Sequence, residues 1–290
     1  MLQPQGRDHG QVLDRNRDGE QPSGCGVAAL AGIRGGCACS RRALMLGALG
    51  AAVAGVMPTP ALARRETLVV RGKLCGLTQI LDGKRIEVEG GTGDRVLDRQ
   101  LAATAHRIAG DFGVYPGLRI IHGPSHHADR AMALRDTSVS GTRGTVLFGK
   151  DLIFRELREH NRRGWGGLAV TGVMAHEFAH IYQFFNGYDE RLEKPGGTVE
   201  VIELHADFLA GYHLGLRRRQ GERMDIGAVI DLMHDLGDEN EDAKGHHGRP
   251  RERQRALREG YRVGAQKAPP MDEAADIGAR HAVQIARLQL

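Results

Sequence analysis

The stretch VTGVMAHEFAHIYQFFNG, Val170 to Gly187, constrains this chain more than any other part of it. Apolar residues surround it on all sides, so as a helix it has to be a buried one. Yet it carries His176, Glu177 and His180 in its middle. A buried ionised group without a compensating partner is strongly disfavoured. The fold therefore has to bring something to these three side chains.

The spacing says what that is. His176 and His180 are four residues apart, so on a helix they share a face with Cβ atoms about 5–6 Å apart. Two imidazoles so placed can hold one zinc ion from the same side. Glu177 is rotated about 100° from His176, beside the ion, where it can take a proton from a zinc-activated water and later pass it to the leaving amine. The pattern H-E-x-x-H on a helix is the metallopeptidase signature for these reasons. A catalytic zinc takes a third protein ligand and keeps one position open. The residues after His180, IYQFFNGYDERLEK, contain no histidine, so the third ligand comes from elsewhere. The next long helical segment, TVEVIELHADFLAGYHLG, carries Glu203 and Asp207, again four apart. Glu203 lies far enough beyond His180 for a loop and a return helix. With Glu203 as ligand, Asp207 sits one turn on and can accept a hydrogen bond from the free ring N–H of a ligand histidine, fixing its tautomer. Glu200 competes for the ligand role but has Leu204, not a carboxylate, four residues on, so Glu203 is preferred. His205 points to the other side of that helix and reads as a satisfied structural histidine.

The remaining elements follow from periodicity and breakers. TLVVRGKL and KRIEVEG alternate as strands, Asp94 to Phe112 is an amphipathic helix, and GLRIIHG, RAMALRD and GTVLFG are short strands. GTVLFG is either an ordinary core strand or an edge strand beside the zinc that pairs with an extended peptide. Helices follow at Asp151–Glu159, over the opening stretch, at Thr198–Arg219, Ile226–Leu236, Pro250–Gln266 and Asp272–Leu290. Asn186-Gly187 and Pro269-Pro270 act as stops between helices. The expectation is an α+β fold: a mainly helical zincin-like domain with a small N-terminal strand-containing half. Only 4% of residues are aromatic, so its core has to be aliphatic and alanine-rich.

AHEFAH together with ELHADFLAGY resembles the gluzincin metallopeptidases, whose third ligand is the Glu of an E-x-x-x-D pattern. The chain is most similar to bacterial neutral zinc metallopeptidases and to the soluble catalytic core of CAAX-type and heat-shock-linked membrane peptidases. KGHHGRPRERQRALREGY resembles the later HG or HP turn and arginine-bearing helix of that family, and AMAL with GTVLFGKDLI resembles the strand pair before its zinc helix. The likeness runs from about Leu118 to Gly264. It implies one Zn2+ held by His176, His180 and Glu203, Glu177 as general base, Asp207 behind a ligand histidine, and a peptide or protein substrate. Among the candidates for stabilising the oxyanion (His246, His247, Tyr188, Tyr212 and Arg255) it favours His247. Unlike the membrane peptidases, this sequence has no transmembrane helices in its mature part, so a membrane-embedded substrate is not expected.

The first 63 residues read as an address. In SRRALMLGALGAAVAGVMPTPALA, Arg41-Arg42 is a twin-arginine pair, Ala43–Met57 is apolar, and Ala61-Leu62-Ala63 is a small-x-small cleavage pattern. As a helix the apolar stretch reaches only about 22 Å, short of a hydrocarbon core of about 30 Å. The expected organisation is a disordered extension and twin-arginine signal over 1–63, cleaved after Ala63 by way of the twin-arginine export machinery. A single zinc metallopeptidase-like domain over 64–290 follows, periplasmic or secreted. The alternative is an uncleaved membrane anchor. Cys75 is the only cysteine beyond the cleavage point, so no disulfide scaffold is expected. The net charge of +4 and the run Arg217–Arg219 lack an aromatic stacking platform, so no nucleic-acid partner is expected. Two other classes compete with the exported peptidase. One is a non-peptidase zinc amidase, which pairs H-E-x-x-H with a cysteine that here has to be Cys75. The other is a catalytically silent exported metal-binding protein, against which the intact Glu177 argues.

Overall fold

The computed structural model describes residues 65–69, 83, 85–123, 127–161, 166–193, 199–235 and 248–287. The proposed signal, Cys75, His126 and the histidine pair His246-His247 lie outside these residues. Among these residues five strands come first: β1 (Glu66–Val69), β2 (Arg85–Glu89), β3 (Gly117–Ile121), β4 (Ala131–Leu134) and β5 (Thr145–Gly149), with α1 (Arg95–Phe112) between β2 and β3. Among the described residues helices follow: α2 (Lys150–Asn161), α3 (Gly166–Asn186), α4 (Tyr188–Leu192), α5 (Glu200–Arg219), α6 (Gly227–Asp235), α7 (Pro250–Gln266) and α8 (Met271–Arg287). This is the α+β order expected, a small strand-containing part and then a helical one.

The sheet order is β1-β2-β3-β5-β4, antiparallel except for the parallel pair β3–β5. Side chains alternate across it with period two. Ile120, Ala133, Val146 and Phe148 pack into the helical core, while Ile121, Met132, Leu134 and Leu147 join Ile86 and Val88 in a second cluster. β5 lies between β3 and β4 and is buried along its whole length, so GTVLFG is a core strand. The edge on that side is β4, and β4 packs against α3.

Local chemistry sets the ends. Asp94 caps α1 by accepting from the backbone N–H of Val96 and Leu97, and Gly113 closes it in the left-handed conformation. Gly187, with φ 70°, turns the chain out of α3 into the short α4. The sequence predicts a stop there but not α4, whose five residues YDERL are too few to show a period. α3 is nearly apolar all round because it is enclosed: α1, α2, α5 and α6 and strands β4 and β5 all pack against it.

The closest helix pairing is α5 with α7, and it is built on glycine. Gly211 and Gly215 on α5 face Gly260 and Gly264 on α7, each pair spaced by four. A Cβ on Gly260 would collide with the carbonyl oxygen of Phe208, and one on Gly211 with that of Leu257. Backbone atoms cannot rotate away, so an added methyl has to push the helices apart. Gly260→Ala is expected to destabilise the fold by about 1–3 kcal/mol or more, read as a lower urea midpoint at unchanged slope. An unchanged midpoint would show that the helices are not packed this closely.

Candidate metal centre

α3 and α5 lie alongside one another, and their polar residues meet where the two buried faces touch. His176 Nε2 is 3.0 Å from His180 Nε2. Glu203 Oε2 is 3.2 Å from His176 Nε2, and Glu203 Oε1 is 3.5 Å from His180 Nε2. Among the described residues, these three form the one group whose ligand atoms all lie within 4.8 Å of one another. The i, i+4 spacing on α3 puts the two imidazoles on one face, and burial of the N-terminal part of α5 against that face carries Glu203 to them. Glu200, the first residue of α5, is also buried but does not belong to the convergent group.

The outer ring nitrogens are held from behind. His176 Nδ1 lies 2.8 Å from Asp207 Oδ1. Asp207 in turn receives a two-pronged contact from Arg253 on α7, Nε to Oδ2 at 2.7 Å and Nη2 to Oδ1 at 2.9 Å. His180 Nδ1 is 2.8 Å from Gln183 Oε1. With His180 Nδ1 hydrogen-bonded to Gln183 and His176 Nδ1 at ion-pair distance from Asp207, the two Nε2 atoms face each other and Glu203.

This donor set fits a divalent cation on three counts. Tetrahedral zinc with ligands at about 2.0–2.1 Å sets them about 3.3 Å apart; the two Nε2 atoms are 3.0 Å apart, and each has one of the Glu203 oxygens at 3.2 or 3.5 Å. Two imidazoles with one carboxylate make a borderline-hard set suited to zinc. Charge agrees as well. With both histidines neutral, as ligation requires, ionised Glu177, Glu203 and Asp207 outweigh Arg253 by two negative charges in a buried cluster. A divalent cation neutralises that excess. The same field acts on the side chains. Burial works against a charge on His176, but Asp207 and then Glu203 outweigh it and push its pKa up to about 10. Burial opposes the negative charge on Asp207, yet Arg253 and His176 hold its carboxyl below the usual range. Burial likewise opposes the charge on Arg253, and Asp207, Glu203 and Glu177 together raise it further above its ordinary value. Exposure is uneven. His176, Glu177 and Glu200 keep 6%, 5% and 5% of their surface, whereas His180 and Asp207 keep none.

Other candidates from the sequence sit elsewhere. The Tyr188 hydroxyl donates to Asp276 and that of Tyr212 to the Pro269 carbonyl. Arg255 lines an outer groove between α7 and α8 with Arg251, Arg258 and Arg262, on the face of α7 opposite Arg253. His205 is partnered at both ring nitrogens, by Gln183 and by the Ala275 carbonyl, and burial pushes its pKa down to about 3. Two residues of the cluster were not singled out from the sequence. Arg253 shares its face of α7 with Ala256, Leu257, Gly260 and Gly264, all buried, and that periodicity marks it as the inward arginine of the helix. Gln183 had a weaker signal, a polar residue one turn after His180 in an otherwise apolar run.

Comparisons of the chain with known protein families, with curated proteins and with solved structures find no match. The buried His176–Glu177–His180 and Glu203 arrangement is consistent with a zincin-like site, and it stands on its own geometry.

Proposed function

We propose that the chain is an exported zinc metallopeptidase of gluzincin type, cleaving peptide bonds in peptide or protein substrates. The observation that carries this reading is the convergence of His176, His180 and Glu203 at 3.0–3.5 Å in a buried cluster, with a further buried carboxylate, Glu177, next to His176 on α3. In this reading residues 64–290 are the mature peptidase, and 1–63 are removed in twin-arginine export. No helix among the described residues is long and apolar enough to cross a membrane.

His176, His180 and Glu203 hold the ion. When bound, zinc supplies Lewis acidity, polarising the scissile carbonyl and lowering the pKa of water to about 7. Glu177 accepts a proton from the attacking water and returns it to the departing amine, so its charge is restored at the end of the cycle. Asp207, anchored by Arg253, holds His176 with its Nε2 lone pair turned inward. His247 serves as donor to the developing oxyanion.

Metal analysis of the purified mature chain tests the assignment. One zinc per chain is expected in the wild type and in Glu200→Ala, with zinc lost in Glu203→Ala. Zinc retained in Glu203→Ala and lost in Glu200→Ala would transfer the ligand role to Glu200. No zinc in the wild type would end the metallopeptidase reading.

A further inference from the structure

The hydrogen bonds around Gln183 run in one direction, and a single backbone carbonyl sets it. Gln183 Nε2 lies 2.8 Å from the carbonyl oxygen of Ile202. A carbonyl only accepts, so the amide nitrogen faces it and the amide oxygen faces the other way. That oxygen is 2.8 Å from His180 Nδ1 and also only accepts, so His180 carries its proton on Nδ1. His180 Nε2 is then left with a lone pair, and it is the atom that meets His176 and Glu203. The second amide proton of Gln183 points at His205 Nδ1, 3.1 Å away. His205 is thereby the Nε2–H tautomer and donates to the Ala275 carbonyl at 3.0 Å. His180, Gln183 and His205 are fully buried, so bulk water does not compete for these bonds.

We infer that Gln183 is a positioning residue of the metal centre: with His205 it forms a relay that fixes His180 as the Nδ1–H tautomer and ties it to the early part of α8. The inference rests on the reading of His176, His180 and Glu203 as zinc ligands. It explains an asymmetry of the site. His176 is backed by a carboxylate, Asp207, whereas His180 is backed by a neutral amide. A carboxylate at Gln183 would add a further buried negative charge to a cluster that already has an excess, with Arg253 engaged on Asp207. An amide orients the ring without that charge, and its two N–H groups anchor it to α5 through Ile202 and to α8 through His205.

The test has two parts. Long-range proton–nitrogen NMR of the zinc-loaded wild type reads the tautomer directly, and His180 is expected to be protonated on Nδ1 with Nε2 on the metal. Zinc affinity is then measured by competition with a chromophoric chelator in the wild type, Gln183→Met and His205→Phe. Gln183→Met keeps the length of the side chain but neither accepts from His180 nor donates to His205, and is expected to weaken zinc about 10–100-fold. His205→Phe cuts only the outer bond of the relay and is expected to weaken zinc less. A His180 protonated on Nε2 would overturn the relay, whether or not Gln183→Met folds. A folded Gln183→Met with wild-type zinc affinity would overturn it too. A wild type that binds no zinc instead overturns the ligand assignment, and the relay with it.

Discussion

Glu177→Gln is expected to lower hydrolysis of an unfolded protein substrate by about two to four orders of magnitude, with zinc still bound at one ion per chain. The substitution keeps the shape of the side chain and its capacity to hydrogen bond, but an amide cannot take a proton from water at neutral pH. It also removes one of the three carboxylates that outweigh Arg253 in the cluster, so nothing in the charge balance predicts loss of fold. The informative contrast is with Glu203→Ala. That variant is expected to lose hydrolysis by losing the metal, whereas Glu177→Gln loses it with the metal in place. Zinc content and turnover measured on both variants separate proton transfer from metal binding. Full turnover in zinc-loaded Glu177→Gln would remove Glu177 from the chemistry and overturn its assignment as general base.

What the sequence discloses about this cluster depends on whether a residue's partner is near it in the chain. His176, Glu177 and His180 are legible because one helix turn sets their geometry, and their apolar neighbours make the question of compensation unavoidable. Glu203 and Asp207 are legible one step further out, because they repeat the four-residue spacing on the next long helix. Arg253 lies 46 residues beyond Asp207 on a helix with several arginines, and only the inward face of α7 picks it out. That face is set by Gly260 and Gly264 meeting Gly211 and Gly215, a spacing easily passed over as mere absence of side chains. The sheet order was less accessible still. β3, β4 and β5 follow one another in the chain, yet β5 inserts between the other two. Nothing local to GTVLFG separates a central strand from an edge strand, since both can be short, apolar and β-branched.

Arg253→Met is expected to destabilise the protein by about 3–5 kcal/mol, because it leaves Asp207 buried without its guanidinium. Asp207 is fully buried and receives two contacts from Arg253 at 2.7 and 2.9 Å, so both carboxylate oxygens lose a charged donor at once. Methionine fills much of the same volume, which keeps the loss electrostatic rather than one of packing. Arg253→Lys is expected to recover little, since an ammonium is a point charge and cannot reproduce the planar fork across both oxygens. The decisive variant is the pair Arg253→Met with Asp207→Asn. With the carboxylate gone, the loss caused by Arg253→Met should shrink well below its single-variant value, a coupling of about 0.5–3 kcal/mol by the double-mutant cycle. Urea unfolding of the four proteins in the presence of chelator, where zinc cannot stabilise the folded state, measures this term alone. Strict additivity would mean that Arg253 acts by filling space. Coupling would establish that α7 is tied to the His176–His180–Glu203 cluster through a charge.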